Sequence, residues 1–188
     1  MPRKTPTVST RGTTARTAPR NTALPLAATV LTGTVALYIA LVAFGNITDF
    51  GTNRDFVRHV LAMDTTFRDP DLMWHAITSR ALQDAAYVGI IVWEAAAAVV
   101  LVVATALGVL GLRRGDIGRA RWTATVGLLM LLVLFGAGFI AVGGEWFAMW
   151  QSKDWNGLEA AARNFVVAGV ALIVVHLPGA KDSGEGGE

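Results

Sequence analysis

The sequence contains no cysteine. Disulfides, thiolate zinc sites, iron–sulfur clusters, thiol catalysis and thioether haem attachment are excluded together. Histidine is scarce, with His59, His75 and His176 alone. Bis-histidine haem needs two such residues at matching depth on facing helices. Only His59 and His75 fall on one side, and both lie outside the apolar runs. The Asp and His residues around them have no recognisable metal-ligand spacing. No phosphate loop, Walker motif or nucleophile–base constellation occurs. The expectation is therefore a protein with no cofactor, no metal and no enzymatic activity. Charge is also in short supply. The formal net charge is +2 over 188 residues, so its arrangement carries more information than its sum. A nucleic-acid partner is not expected.

What is present is apolar. Hydrophobic residues make up 53% of the chain and the mean hydropathy is +0.49, above the range of an ordinary soluble domain. A bilayer core about 30 Å thick needs roughly 20 apolar residues of helix. Four segments qualify: about 24–46, 84–110, 123–142 and 158–177. The last has only thirteen strongly apolar residues, Phe165 to Leu177, and reaches span length when extended back to Leu158. That extension draws Arg163 into the helix. Its start signal is Asn156 with Glu159 three residues on, the spacing of a capping box. Pro178-Gly179 supplies the stop. The fold class expected is all-α, a polytopic membrane protein with a four-helix transmembrane bundle over residues 23–178.

Residues 1–22 carry Arg3, Lys4, Arg11, Arg16 and Arg20 without an acid and have nothing to bury. They read as a disordered tail, and so does 179–188. The apolar run after the first tail is too long for a typical signal-peptide core and reads as an uncleaved anchor. Orientation follows from basic residues close to the spans. The first tail and the short loop with Arg113, Arg114, Arg119 and Arg121 belong on the cytoplasmic side. Both termini are then cytoplasmic, in a bacterial inner membrane, with the Asn46–Gln83 loop outside. That loop contains two stretches with the marks of short amphipathic helices on the interface. One starts at Thr52 or Asn53. The other starts at Asp69 as cap with Pro70 at the first helical position.

"GNITDFGTNRDF" from Gly45 and "GEWFAMWQSKDW" from Gly144 align without gaps, setting Arg54-Asp55-Phe56 on Lys153-Asp154-Trp155. Two readings stand: a parallel duplication of helical hairpins, or two similar exits from the membrane. Pairs of small residues at spacing four, Ala36/Ala40, Ala104/Gly108 and Ala137/Ala141, suit close helix contact in lipid.

Glu94 is the most informative residue. It lies about 15 Å beyond Asp84 along a helix, near the bilayer middle, where a charge is costly unless paired or protonated. It must face the bundle. It is either a proton- or cation-coupling carboxylate or a residue that fixes helix packing. Arg163 is its expected partner, with Glu159 and Glu145 as competitors for that arginine. The candidate site is a polar cluster of Glu94, Glu145, Arg163 and Asn164. Above it, Trp146, Trp150 and Trp155 read as an interfacial aromatic belt, with Trp146, Met149 and Trp150 on one helical face. Asn156 and Glu159 read as the cap of the returning helix.

Glu145-Trp146, Met149-Trp150-Gln151-Ser152, Trp155-Asn156-Gly157, Arg163 with Phe165, and "GNITD" ending at Asp49 together resemble a bacterial family of predicted small integral membrane proteins whose domain has no assigned function. The likeness runs from about Leu26 to Leu177. It implies four spans and transfers no activity. Three functions remain. An accessory or scaffold subunit, bound to a larger membrane complex or to its own copies, predicts Glu94 in a closed contact with Arg163 or a hydroxyl. An ion- or proton-coupled transporter predicts a water-accessible cavity at Glu94. A lipid or quinone site in the outer leaflet predicts a groove between the third helix and the surface helices.

Overall fold

The computed structural model describes residues 22–178. The two tails expected to be disordered, apart from Thr22, lie outside the described residues. Five helices follow in order: α1 (Ala23–Thr48), α2 (Phe50–Ala62), α3 (Arg80–Arg114), α4 (Gly118–Leu132) and α5 (Leu158–His176). Between Val133 and Trp146 the third span continues α4 as a π-helix. Among the described residues, four helices are long and apolar enough to cross a membrane: 23–48, 80–114, 118–146 and 158–176. The protein is an all-α, four-span integral membrane protein, as its apolar runs predict.

In lipid, apolar contact between helices gains little over contact with acyl chains, so close packing and interhelical hydrogen bonds hold a bundle together. The crossings accordingly fall on small residues. A Cβ added at Gly108 would stand 2.7 Å from the Thr29 hydroxyl, and one at Gly127 would stand 2.7 Å from Cγ and Cδ2 of Leu101. Gly136 holds the Phe165 ring just as closely. Ala36 and Ala104 are buried in the same core, whereas Ala137 and Ala141 are exposed. Of the three small-residue pairs, two therefore serve the bundle. Along α5 the buried positions are Ala161, Asn164, Ala168, Ala171 and Val175, one inward stripe at helical spacing. The α3–α4 turn is made by Gly115 at φ 76°, whose amide closes on the Gly111 carbonyl at 2.7 Å.

The π-helix is a departure from the expected regular span. It holds Gly136, Gly138, Gly143 and Gly144, residues that weaken an α-helix. The Phe147 amide closes its last turn on the Val142 carbonyl at 3.0 Å.

The two segments at the tryptophan end build one cap. Helix α2 lies against α3 through a two-bond fork from Arg58 to Asp84, at 2.8 and 2.9 Å. Hydrogen bonding to the Asp84 carboxylate raises the Arg58 pKa above its ordinary value, so the guanidinium stays charged. Val57 packs under the helix with Tyr87 and Ile91, and Phe50 meets the Tyr87 ring edge-on at 4.9 Å. The helix expected to start at Thr52 or Asn53 starts two or three residues earlier, at Phe50. The second amphipathic helix is reduced to a single 3-10 turn, Met73–His75. It does not run into the span: Ala76 turns extended, and the Ile77 amide is tied to the Leu61 carbonyl at 2.8 Å. The two aligned external stretches also differ locally. Residues 50–56 are α-helical, whereas 149–155 are a 3-10 turn followed by bends.

Candidate functional site

Glu94 is 2% exposed and faces the bundle. Its partner is Asn46, whose Nδ2 donates to Oε2 at 2.6 Å. Asn46 is fixed in turn, because the Tyr87 hydroxyl donates to its backbone carbonyl at 2.7 Å. On the facing helix the Tyr38 hydroxyl donates to Asn164 Oδ1 at 2.6 Å. The chain's two tyrosines thus bond to two of the asparagines that line the cavity with Glu94, one at the backbone and one at the side chain.

The expected four-residue cluster does not assemble. Glu94 and Asn164 line one cavity. Glu145 and Arg163 are exposed and, among the described residues, make no hydrogen bond or ion pair. Helical geometry explains the second failure. Adjacent residues point about 100° apart, so Arg163 and Asn164 cannot both face the core. The amide goes inward and the guanidinium outward, where a long side chain can reach toward the interface. Glu94 also sits nearer the tryptophan end than its place in the span suggests. It is level with Asn46, two residues from the end of α1, and with the first turns of α5.

The cavity measures about 230 Å³ and is half open. Asn46, Asn53, Tyr87, Glu94 and Asn164 supply its polar wall, and Phe56, Val57, Phe135 and Phe139 supply apolar wall. Beside it runs an apolar groove of about 180 Å³ between α2, α3 and the π-helix, bordered by Val60, Leu134, Gly138, Val142 and Met149. Phe56, Val57, Ile90 and Phe139 are common to both. The irregular third span therefore borders both spaces. At the arginine end a separate cleft of about 120 Å³ lies among Thr29, Thr32, Gly108 and Arg121. Between the two ends lies packed core, with Ile39, Leu101, Leu128 and Ala168 at 0% exposure.

Each tryptophan of the expected belt meets a ring of the first loop, two of them stacked and one edge-on. Trp146 lies flat on His75 at 4.1 Å, and the same ring's Nδ1 is 2.8 Å from the Trp146 carbonyl. Trp155 stacks on His59 at 4.6 Å, and Trp150 meets Phe67 edge-on. Gln151 Oε1 accepts from the Phe67 amide. Buried Ser152 accepts from Thr65 at 2.9 Å and from the Trp155 amide at 3.0 Å. The helix breaks at Ala148, φ 50°, so Met149 is buried while Trp146 and Trp150 stay exposed, and the three do not share one face.

The capping box is not formed. Gly157 is the N-cap, Asn156 precedes it, and Asn156 Oδ1 accepts from the Leu158 amide at 3.1 Å. Glu159 is exposed in the first turn, where its charge suits the helix dipole. Gly157 allows the close approach of the Phe56 ring, which would meet a Cβ there at 2.8 Å.

Among the described residues no group of three or more His, Cys, Asp or Glu is placed to hold a metal ion. Asn46, Asn53, Tyr38 and Tyr87 escape a reading of the sequence. Two hints were available: Asn46 stands inside the "GNITD" stretch, and the two tyrosines are isolated polar groups in apolar runs.

No curated protein and no solved structure matches the chain. A family model, described as predicted small integral membrane protein (DUF2165), matches residues 24–178, the whole bundle with its cap. With most of its length matched and all four spans in place, the chain belongs to the DUF2165 family of predicted small integral membrane proteins.

Proposed function

We propose that this protein is a small accessory component of the bacterial plasma membrane that holds a membrane-borne amphiphile in its outer leaflet. One observation carries the reading: the polar cavity at Glu94 adjoins the apolar groove across four shared wall residues. An amphiphile needs that combination, a place for its head and a lipid-side slot for its tail. The four arginines of the α3–α4 turn lie at the opposite end from the cap, which supports an external cavity and cytoplasmic termini. The role is non-catalytic, because Glu94 has an amide for its hydrogen-bond partner and no second acid or base.

The test uses the full chain in lipid nanodiscs with a photoactivatable fatty-chain probe. Labelling is expected on α2 and on the π-helix near Phe139 and Val142. Gly138→Leu should abolish it, since Gly138 borders the groove, a Cβ there has neighbours no closer than 3.9 Å, and a larger side chain takes up space at that wall. Labelling spread over the outer faces of all four spans, unchanged by Gly138→Leu, would refute the reading. The coupled-transport alternative shares the cavity at Glu94. It also needs a route through the layer of Ile39, Leu101 and Leu128, and proton flux in proteoliposomes that Glu94→Gln abolishes would favour it.

A further inference from the structure

We propose that the head group taken by the cavity is a primary ammonium, so that the ligand class is a cationic amine with an apolar tail. The inference rests on the amphiphile reading and deepens it. Charge is the first ground. Among the described residues Glu94 is the one acidic or basic side chain in the cavity wall; no arginine or lysine of theirs lines it. Arg163 is exposed on α5. Arg54, on the neighbouring helix, stands over the Phe50 ring and beside Asp55. An anionic head would meet a carboxylate with no cation beside it in the described wall, whereas an ammonium would pair with it.

Hydrogen-bond inventory is the second ground. Asn46 occupies Glu94 Oε2, and Oε1 has no partner among the described residues. Asn46 spends its Nδ2 on Glu94, and Asn53 spends its Nδ2 on the Asp49 carbonyl, which leaves both side-chain oxygens free. The wall residues thus hold three unused acceptors. A primary ammonium has three donors and no acceptor. A hydroxyl would donate to only one of the three; a carboxylate or phosphate could accept from the unused N–H groups of Asn164, Asn46 and Asn53 but would bring a second negative charge beside Glu94.

The experiment competes dodecylamine, dodecanol and dodecanoate against the fatty-chain probe, with the full chain in phosphatidylcholine nanodiscs. Dodecylamine is expected to displace the probe at the lowest concentration and dodecanoate at the highest. Glu94→Gln keeps an acceptor for Asn46 and should still fold. It should weaken dodecylamine about tenfold or more while leaving dodecanol unchanged, the size expected for loss of a charge-assisted bond. Asn53→Ala, at a half-buried position of α2, should weaken the amine by a smaller factor. Glu145→Gln, an exposed carboxylate, should change nothing. Equal displacement by dodecanol and dodecylamine, an amine affinity indifferent to Glu94→Gln, or an equal loss in Glu145→Gln would each overturn the ammonium assignment and leave the groove standing. Failure of every probe to label the groove would overturn the amphiphile reading along with it.

Discussion

The bond between Asn46 and Glu94 ties the end of α1 to the middle of α3, and its strength can be isolated by a double-mutant cycle. Asn46→Leu removes the Nδ2 donor 2.6 Å from the carboxylate and keeps a similar volume. It leaves the backbone carbonyl that Tyr87 uses untouched. Interhelical hydrogen bonds in lipid average about 0.6 kcal/mol and reach about 1.7, because unfolded spans also find partners. A carboxyl acceptor in a residue only 2% exposed, with its donor at 2.6 Å, belongs at the upper end, so a coupling of roughly 1–2 kcal/mol is expected. Glu94→Gln should cost less than Asn46→Leu, since an amide oxygen still accepts. The double variant Asn46→Leu/Glu94→Leu should be close to wild type or more stable, because both polar groups leave together. The assay is unfolding in mixed micelles at rising dodecyl sulfate, followed by tryptophan fluorescence. A coupling under about 0.5 kcal/mol, within the additivity of independent sites, would refute the bond's role and the buried position of Glu94 with it.

Gly127→Ala should destabilise by about 1–3 kcal/mol, since its Cβ would stand 2.7 Å from a fully buried leucine. Gly89→Ala, where nothing lies within 4 Å, should be neutral or stabilising in the same unfolding assay. Ser152→Ala removes the acceptor shared by Thr65 and Trp155 and should speed tryptic cleavage after Lys153, measured by mass spectrometry of the nicked chain. Arg58→Lys loses the planar fork to Asp84. Hydrogen exchange of the α2 amides should quicken while that of α3 stays as in wild type.

Long apolar runs bounded by arginines and by a Pro-Gly stop are a strong signal, and all four spans were legible from them. So was the inward face of Glu94, since the cost of exposing a carboxylate to lipid decides it. Its partner was not legible, because that depends on the antiparallel register of α1 against α3. The register is set by contacts such as Gly33 on Thr105 and Gly108 on Thr29. The choice between Arg163 and Asn164 could have been read. Ala161, Asn164, Ala168, Ala171 and Val175 form a stripe of small residues and one amide, and placing Asn164 inward turns Arg163 out. The missing surface helix after Pro70 is a tertiary effect: the Leu61 carbonyl captures the Ile77 amide, and His75 is held on Trp146. Cap signals alone cannot anticipate either contact.

The irregular features of this molecule are unevenly placed. At the arginine end α3 and α4 are regular and joined by a tight glycine turn. At the other end an α-helix gives way to a π-helix, the Glu94 residue is 2% exposed with one carboxylate oxygen unpartnered among the described residues, and a cavity of about 230 Å³ lies between the helices. Each has a simpler alternative: a continued α-helix, a leucine at 94, a filled core. Fold stability alone favours those alternatives, because voids forgo packing and a carboxylate in the bundle carries a desolvation cost that a leucine does not. That all three border the same space argues for a ligand that compensates them on binding. On that argument the tryptophan cap has a definite part. It holds α2, and with it Asn53 and Phe56, in the wall of the cavity, so loosening the cap should weaken ligand binding before it weakens the bundle.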